Sequence, residues 1–228
     1  MTTSPKAILF GAIGTLADTT EMQRDSFNSA FRDAGLDWEW DRGDYRRLLE
    51  QPGGEARIAA YAASRGETVD AEAIHKLKVR HFELRAKDGL TPRPGVPEVI
   101  ARAIDKGVTL GFVTSTGRAT VDLMREGLRG QIDFNDFAFV GQRDMVEHGK
   151  PAPDIYRRAL QDLALAPADA IAIEDTPESA QAALAAQVPC IGFPGDAARD
   201  RNFPAGVPVR DMLTLPVLGL GRDRIDAA

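Results

Sequence analysis

The apolar positions of this chain fall into two regimes. Residues 7–10, Ala-Ile-Leu-Phe, form a continuous apolar run, long enough for a strand and too short for a helix. Such a run fits a strand covered on both faces, as in a parallel sheet. From about residue 17 to 89 the spacing is helical throughout. Helices are predicted at 21–34, with Phe27, Ala30, Phe31 and Ala34 on one face, and at 44–50. Two more are predicted: 55–64, with Ile58, Tyr61 and Ala62 inward, and a stretch capped by Asp70 and running to about 87. Its apolar face is Ile74, Leu77, Val79 and Phe82. Trp38 and Trp40 are expected to lie in a turn and cover the core of this helical lobe, and Gln51-Pro-Gly-Gly54 is a breaker.

The proline-rich segment Thr91–Pro97 marks a return to a second pattern. Helix 97–106, strand 108–113, helix 117–128, strand 137–140, helix 153–164, strand 170–174, helix 177–186 and strand 190–193 follow in alternation. Alternation of this kind implies a parallel sheet with helices on both faces. The expected fold class is α/β: a core from residues 1–16 and 91–228, its first strand separated from the rest by a helical cap at 17–90. After about 215 a closing turn and a frayed tail are expected.

Composition narrows the function classes. The 228 residues are 43% hydrophobic and 27% charged, as in a soluble globular protein. A net charge of −6 argues against nucleic acid or an anionic membrane as partner. No run reaches the ~18 apolar residues of a membrane span. The start, Met1-Thr-Thr-Ser-Pro-Lys, lacks a secretory apolar segment, and a lone cysteine, Cys190, forms no internal disulfide; a cytoplasmic setting is the expectation.

Candidate chemistry gathers at predicted strand ends, where open α/β sheets place their ligands. The first strand stops at Gly11, and Gly14-Thr15 reads as a tight turn. Thr114-Ser115 follow the strand ending at Val113; they suit a phosphate seat or a helix N-cap. Lys150, before Pro151-Ala-Pro153, is a point charge on a stiff loop, suited to phosphate or merely surface-exposed. Glu174-Asp175 end another strand and suit a hard cation such as Mg²⁺, or the start of the next helix.

In this order, these segments resemble the motifs of the haloacid dehalogenase (HAD) superfamily. The first motif there is an apolar strand followed by Asp-x-Asp-Gly-Thr-Leu-x-Asp; here it reads Gly11-Ala-Ile13-Gly14-Thr15-Leu16-Ala-Asp18. Phe27-Asn-x-Ala-Phe31, Gly53-Gly54 with Arg57, Arg93-Pro-Gly95 and Lys150-Pro-x-Pro-Asp-Ile-Tyr156 look most like the CbbY branch, phosphatases of sugar bisphosphates. The resemblance implies a Rossmann-like core and a helical cap that closes over a phosphorylated small molecule. It implies phosphate contacts from Thr114, Ser115 and Lys150, and Mg²⁺ held by the first carboxylate, the backbone carbonyl at Ile13 and the pair Glu174-Asp175. On the cap it implies substrate-facing positions Gln23, Tyr45, Gly54, Glu55 and Arg57.

Two departures decide the functional expectation. Gly11 stands at the nucleophile position and Ile13 at the acid/base position, so both catalytic carboxylates and one metal ligand are absent. Gln23 replaces the usual His and Glu55 the usual Lys, while Ser179 and Gln187 replace glycines. The sequence therefore predicts a pseudo-phosphatase that binds a phosphorylated metabolite, with Mg²⁺ weakened by the lost carboxylate. Two other readings stay open: a hydrolase using metal-activated water held by Glu174 and Asp175, and a non-catalytic partner-binding protein. His75 and His81 read as ordinary cap-surface residues and His148 as the one histidine near the site. Asp18 reads as a scaffold residue.

Overall fold

The computed structural model describes residues 4–11, 13–49 and 53–221. Its elements are β1 (Ala7–Phe10), α1 (Ile13–Leu16), α2 (Thr20–Asp33), α3 (Arg42–Leu48), α4 (Gly54–Ser64), α5 (Ala71–Lys87) and α6 (Val96–Asp105). Then come β2 (Thr109–Phe112), α7 (Arg118–Gly127), β3 (Phe137–Val140), α8 (Asp154–Asp162), β4 (Ala170–Glu174), α9 (Pro177–Ala185) and β5 (Cys190–Gly192).

The strands form one parallel sheet in the order β3-β2-β1-β4-β5. The opening apolar run is thus the central strand. Phe10 pairs with Phe112 on one side and Ile173 on the other, and all of Ala7–Phe10 is buried. Burying each of the large side chains contributes about 1.5–3 kcal/mol, which explains a strand with no polar position. Strand order turns around at β1, the switch point where ligands of such sheets bind. Pairing continues one residue past the strands: Gly11 N–H donates to Ile173 O at 2.8 Å and Val113 N–H to Phe10 O at 2.7 Å. The ends of β1, β2 and β4 are therefore held in register.

Among the described residues the chain divides into two compact units, Met1–Asp18 with Leu90–Ala228, and Thr19–Gly89. The second unit is helical, built on α2–α5. Its core is aromatic: Phe27, Phe31, Trp38, Trp40 and Tyr45 are buried, with Phe31 and Trp40 edge to face at 4.7 Å. Asn28 clasps the backbone of Trp40, donating to its carbonyl at 3.0 Å and accepting from its N–H at 2.9 Å. Asp41 caps α3 by accepting from Asp44 N–H, so that helix starts two residues before the apolar pattern does, and its predicted last residue, Glu50, lies outside the described residues. Gln51 and Pro52 of the breaker also lie outside them. Asp70 caps α5, accepting from Ala73 N–H at 2.9 Å.

Three expectations are corrected. Ala34 is exposed, because α2 ends at Asp33 and Ala34 is its C-cap. On α5, Val79 faces outward at 37% exposure and Lys78 takes the buried position. Gly14-Thr15 is not a tight turn but part of the helical turn α1. Gly14 is required there for another reason: a Cβ on it would overlap the carboxylate of Asp175. At the C-terminal end the expected closing turn is a 3-10 turn around which Leu215, Leu218 and Leu220 are buried; the predicted tail beyond 221 lies outside the described residues. Among the described residues no helix is long and apolar enough to cross a membrane.

Candidate active site

The sheet brings Gly11, Lys150 and Glu174 together at the C-terminal edge of β1 and β4. Glu174 is fully buried, and its Oε1 accepts from the Lys150 ammonium at 2.6 Å and from the Tyr156 hydroxyl. The ammonium also donates to Gly11 O at 2.5 Å. Lys150 is therefore no surface residue: its side chain is 7% exposed. Its backbone N–H donates to Ser115 Oγ at 3.1 Å, which ties the segment after β2 to the lysine loop.

Gly11 explains the position of Glu174. A Cβ built on Gly11 would overlap the Glu174 carboxylate carbon and both its oxygens. The space where a side chain at position 11 would begin is filled by the carboxylate that the next strand supplies. Burial pushes Glu174 up to about 7, against the pull of Lys150 and with Asp175 adding to the rise. Burial likewise raises Asp175, opposed by Lys150 and Arg93. Tyr156, wholly enclosed beside Glu174, is held well above its ordinary value.

The predicted residues separate under this geometry. Thr114 is buried, and its Oγ1 accepts from Thr116 N–H at 3.1 Å, so its hydroxyl shapes the turn. Neither Thr114 nor Ser115 caps α7; Gly117 holds that position. Nor does Asp175 cap α9, because Thr176 does so by accepting from Ser179 N–H at 3.3 Å. Among the described residues Asp175 Oδ1 is instead left buried with no hydrogen-bond partner, as is Glu174 Oε2. Asp18 accepts from Asp196 N–H at 2.6 Å, a scaffold contact. His148 is exposed beside Asp154 and takes no part in the lysine–glutamate cluster. Arg93, unremarked as chemistry in the sequence, donates to the carbonyls of Gly14, Phe193 and Pro194 at 2.7–2.8 Å and fastens α1 to the end of β5.

The donors at the end of β1 do not suit the Mg²⁺ that the resemblance implies. Mg²⁺ takes a near-octahedral oxygen set made of one or two carboxylates, several waters and substrate phosphates, and a neighbouring ammonium competes with it for the carboxylates. Gly11 offers no carboxylate. Glu174 Oε1 is engaged by Lys150 and Tyr156, and the Ile13 carbonyl accepts from Ala17 N–H at 3.0 Å. Glu174 Oε2 and Asp175 Oδ1 remain, beside an ammonium that already offsets one of the two charges. Among the described residues, no three His, Cys, Asp or Glu side chains assemble as metal ligands.

The cap unit holds a second cationic cluster. Lys78 is buried, lies 5.0 Å from the Phe27 and Phe82 ring centroids, and donates to Gln23 Oε1. Burial, aided by the Arg57 charge, lowers it to about 8. Buried Arg57 donates to Leu48 O at 2.7 Å and lies 5.8 Å from the Phe27 and Tyr45 centroids. Burial pushes Tyr45 up to about 12 despite Arg57 and Arg24. Gly54 packs on the His75 ring, whose pKa is lowered by partial burial and by Lys78. Gln23, Tyr45, Gly54 and Arg57 thus gather around Phe27, while Glu55 is exposed and outside the cluster. The sequence expectation missed Lys78 and misplaced His75 as a surface residue. The signal available was their i, i+3 spacing with Lys78 inside the apolar face of Ile74 and Phe82.

Residues 8–193 match the family model of haloacid dehalogenase-like hydrolases. The chain is 38% identical over 202 residues to the Protein CbbY of Cereibacter sphaeroides, covering 87% of this chain and 88% of that one. It is 36% identical to the plasmid-borne Protein CbbY of Cupriavidus necator, covering 94% and 86%. Among solved structures it is similar to a CbbY mutant from Rhodobacter sphaeroides in complex with xylulose-1,5-bisphosphate. The TM-score is 0.75 at 36% identity, with 91% and 94% of the chains covered.

Proposed function

This chain belongs to the haloacid dehalogenase-like hydrolases, among the CbbY-type phosphatase relatives, and from that premise we propose that it binds a phosphorylated sugar without hydrolysing it. One observation carries the proposal. Where covalent phosphoryl transfer needs a carboxylate at the end of β1, there is Gly11, and the Glu174 carboxylate fills the space while paired to Lys150. A nucleophile must reach about 3–3.5 Å from its target in line. Glu174 is enclosed and held by two donors, so it is a lock on the site rather than an attacking group. Ile13 removes the proton-transfer group as well. Lys150 and the loop carrying Ser115 supply the phosphate contacts.

The ligand class follows from charge. Lys150 is buried in the core unit, two of its three ammonium N–H groups are assigned, and such a cation suits a phosphate oxygen. A relative solved with xylulose-1,5-bisphosphate makes that compound the first probe.

The test is turnover of a sugar-phosphate panel with Mg²⁺ by this chain and by the double variant Gly11→Asp, Ile13→Asp. The chain as it stands is expected to be silent, and the double variant to regain hydrolysis once Glu174 swings away from the new side chain. Loss of a covalent nucleophile costs on the order of a million-fold in turnover. Hydrolysis by the unaltered chain that disappears in Asp175→Ala would establish the metal-activated-water reading instead. Binding of no sugar phosphate at all, with Lys150→Ala affecting only stability, would move the partner-binding reading to the front.

A further inference from the structure

We propose that the Lys150 ammonium is the resident cation of this site, standing among the groups that would otherwise ligate a divalent ion, so that the chain holds no Mg²⁺ there and takes phosphate metal-free. The ligand half of this inference rests on the phosphate-binding reading above; the cation half does not.

The geometry is that of a coordination site served by an organic cation. The ammonium contacts a main-chain carbonyl, Gly11 O at 2.5 Å, and a carboxylate oxygen, Glu174 Oε1 at 2.6 Å. Both acceptors belong to strand ends that the sheet registers against one another. The lysine is positioned from outside the cluster by Ser115, which accepts its backbone N–H. An ammonium has three N–H donors; two are assigned, which leaves one for a phosphate oxygen. Adding a divalent ion would place two more positive charges beside that ammonium while supplying only the two unpartnered oxygens, Glu174 Oε2 and Asp175 Oδ1, as new anionic donors. A side chain at position 11 would change this balance twice over. It would bring a third carboxylate, and it would expel Glu174 from the space it occupies.

The test uses Mn²⁺ as the probe ion, read by electron paramagnetic resonance on the full chain, together with calorimetric titration of inorganic phosphate in EDTA and in Mn²⁺. The unaltered chain is expected to show no Mn²⁺ site that depends on Asp175, and the same phosphate affinity in both conditions. Gly11→Asp with Ile13→Asp is expected to gain a Mn²⁺ site at least about 10-fold tighter, the scale on which ligand changes alter metal affinity. Mn²⁺ bound by the unaltered chain and lost in Asp175→Asn overturns the cation assignment, and so does phosphate that binds only with Mn²⁺ present. Phosphate binding in neither condition, with no Mn²⁺ bound, overturns the phosphate-binding reading and supports the cation assignment. Where a variant fails to fold, phosphate affinity of the unaltered chain in EDTA against Mn²⁺ still decides the matter.

Discussion

Two buried lysines, one in each unit, meet opposite circumstances. Lys150 in the core ends on the carboxylate of Glu174 at 2.6 Å and on a backbone carbonyl. Lys78 in the cap ends on the neutral amide of Gln23, with two aromatic rings around it and the like charge of Arg57 nearby. Both are almost wholly enclosed. In the core, Gly11 has no side chain, and the ion-paired Glu174 carboxylate fills the space beside it. In the cap, Lys78 ends on a neutral amide and has no ion pair among the described residues. A buried charge without a counter-ion lowers stability.

The largest effect should come from breaking the core pair. Lys150→Met leaves Glu174 as an uncompensated buried acid and is expected to cost about 3–5 kcal/mol in urea unfolding at pH 8. The cost should shrink as pH falls towards 7 and be small below it, because without the pull of Lys150 the variant's Glu174 holds its proton to higher pH than the parent's, which is raised by burial to about 7. The unaltered chain carries the same signature. Glu174 has a folded pKa above its ordinary 4.5, so the folded state binds its proton more tightly. That contribution is present below pH 4.5 and is lost as pH rises through about 7, on the order of 3 kcal/mol in all. A Lys150→Met cost that stayed flat from pH 5 to 8 would show that Glu174 does not titrate as this geometry requires.

The cap lysine should respond with the opposite sign. Lys78→Met removes a buried charge that has no ion pair among the described residues and keeps the packing against Phe27 and Phe82, so a gain of about 1–3 kcal/mol is expected at pH 7. The folded pKa of Lys78 is depressed from 10.5 to about 8. The unfolded chain therefore holds the proton more tightly, and the destabilisation is complete below pH 8 and gone above 10.5. The advantage of the variant should fade across that window in thermal melts. A variant less stable than the parent at pH 7 would mean that Lys78 has a counter-charge, and the contrast between the two lysines would fall.

Much of this contrast was readable in the sequence, and the rest was hidden for physical reasons. The apolar run at 7–10, the strand ends at 113 and 174 and the lysine before Pro151 place the core site, because a parallel sheet with a central buried strand leaves few alternatives. That position 11 is a glycine was equally plain. What fills the space beside it was not: a one-dimensional pattern shows the glycine but not which neighbour packs there. Tyr156 entered only as the last residue of the Lys150-Pro-x-Pro-Asp-Ile-Tyr156 motif, and only the packing of α8 reveals its hydroxyl on Glu174. Lys78 was hidden because periodicity assigns buried positions to apolar residues, and the pattern preferred Val79, which the helix turns outward. Both misses are polar groups at apolar-looking positions, which is where local rules fail when a site is being built.

The finest test of the contrast separates the two donors on Glu174. Tyr156→Phe keeps the buried ring and removes only the hydroxyl, leaving Lys150 as the partner of Oε1. Losing one hydrogen bond to a charged group is expected to cost about 1–2 kcal/mol at pH 8. The hydroxyl favours the ionised carboxylate, so without it Glu174 should hold its proton to higher pH still, a shift visible in the carboxyl carbon resonance of labelled protein. The pH window of the Lys150→Met cost should move with it, while the titration of Lys78 stays where it was. If the Glu174 resonance does not move, the tyrosine is only packing, and the core site reduces to a two-member pair whose charge balance is set by Lys150 alone.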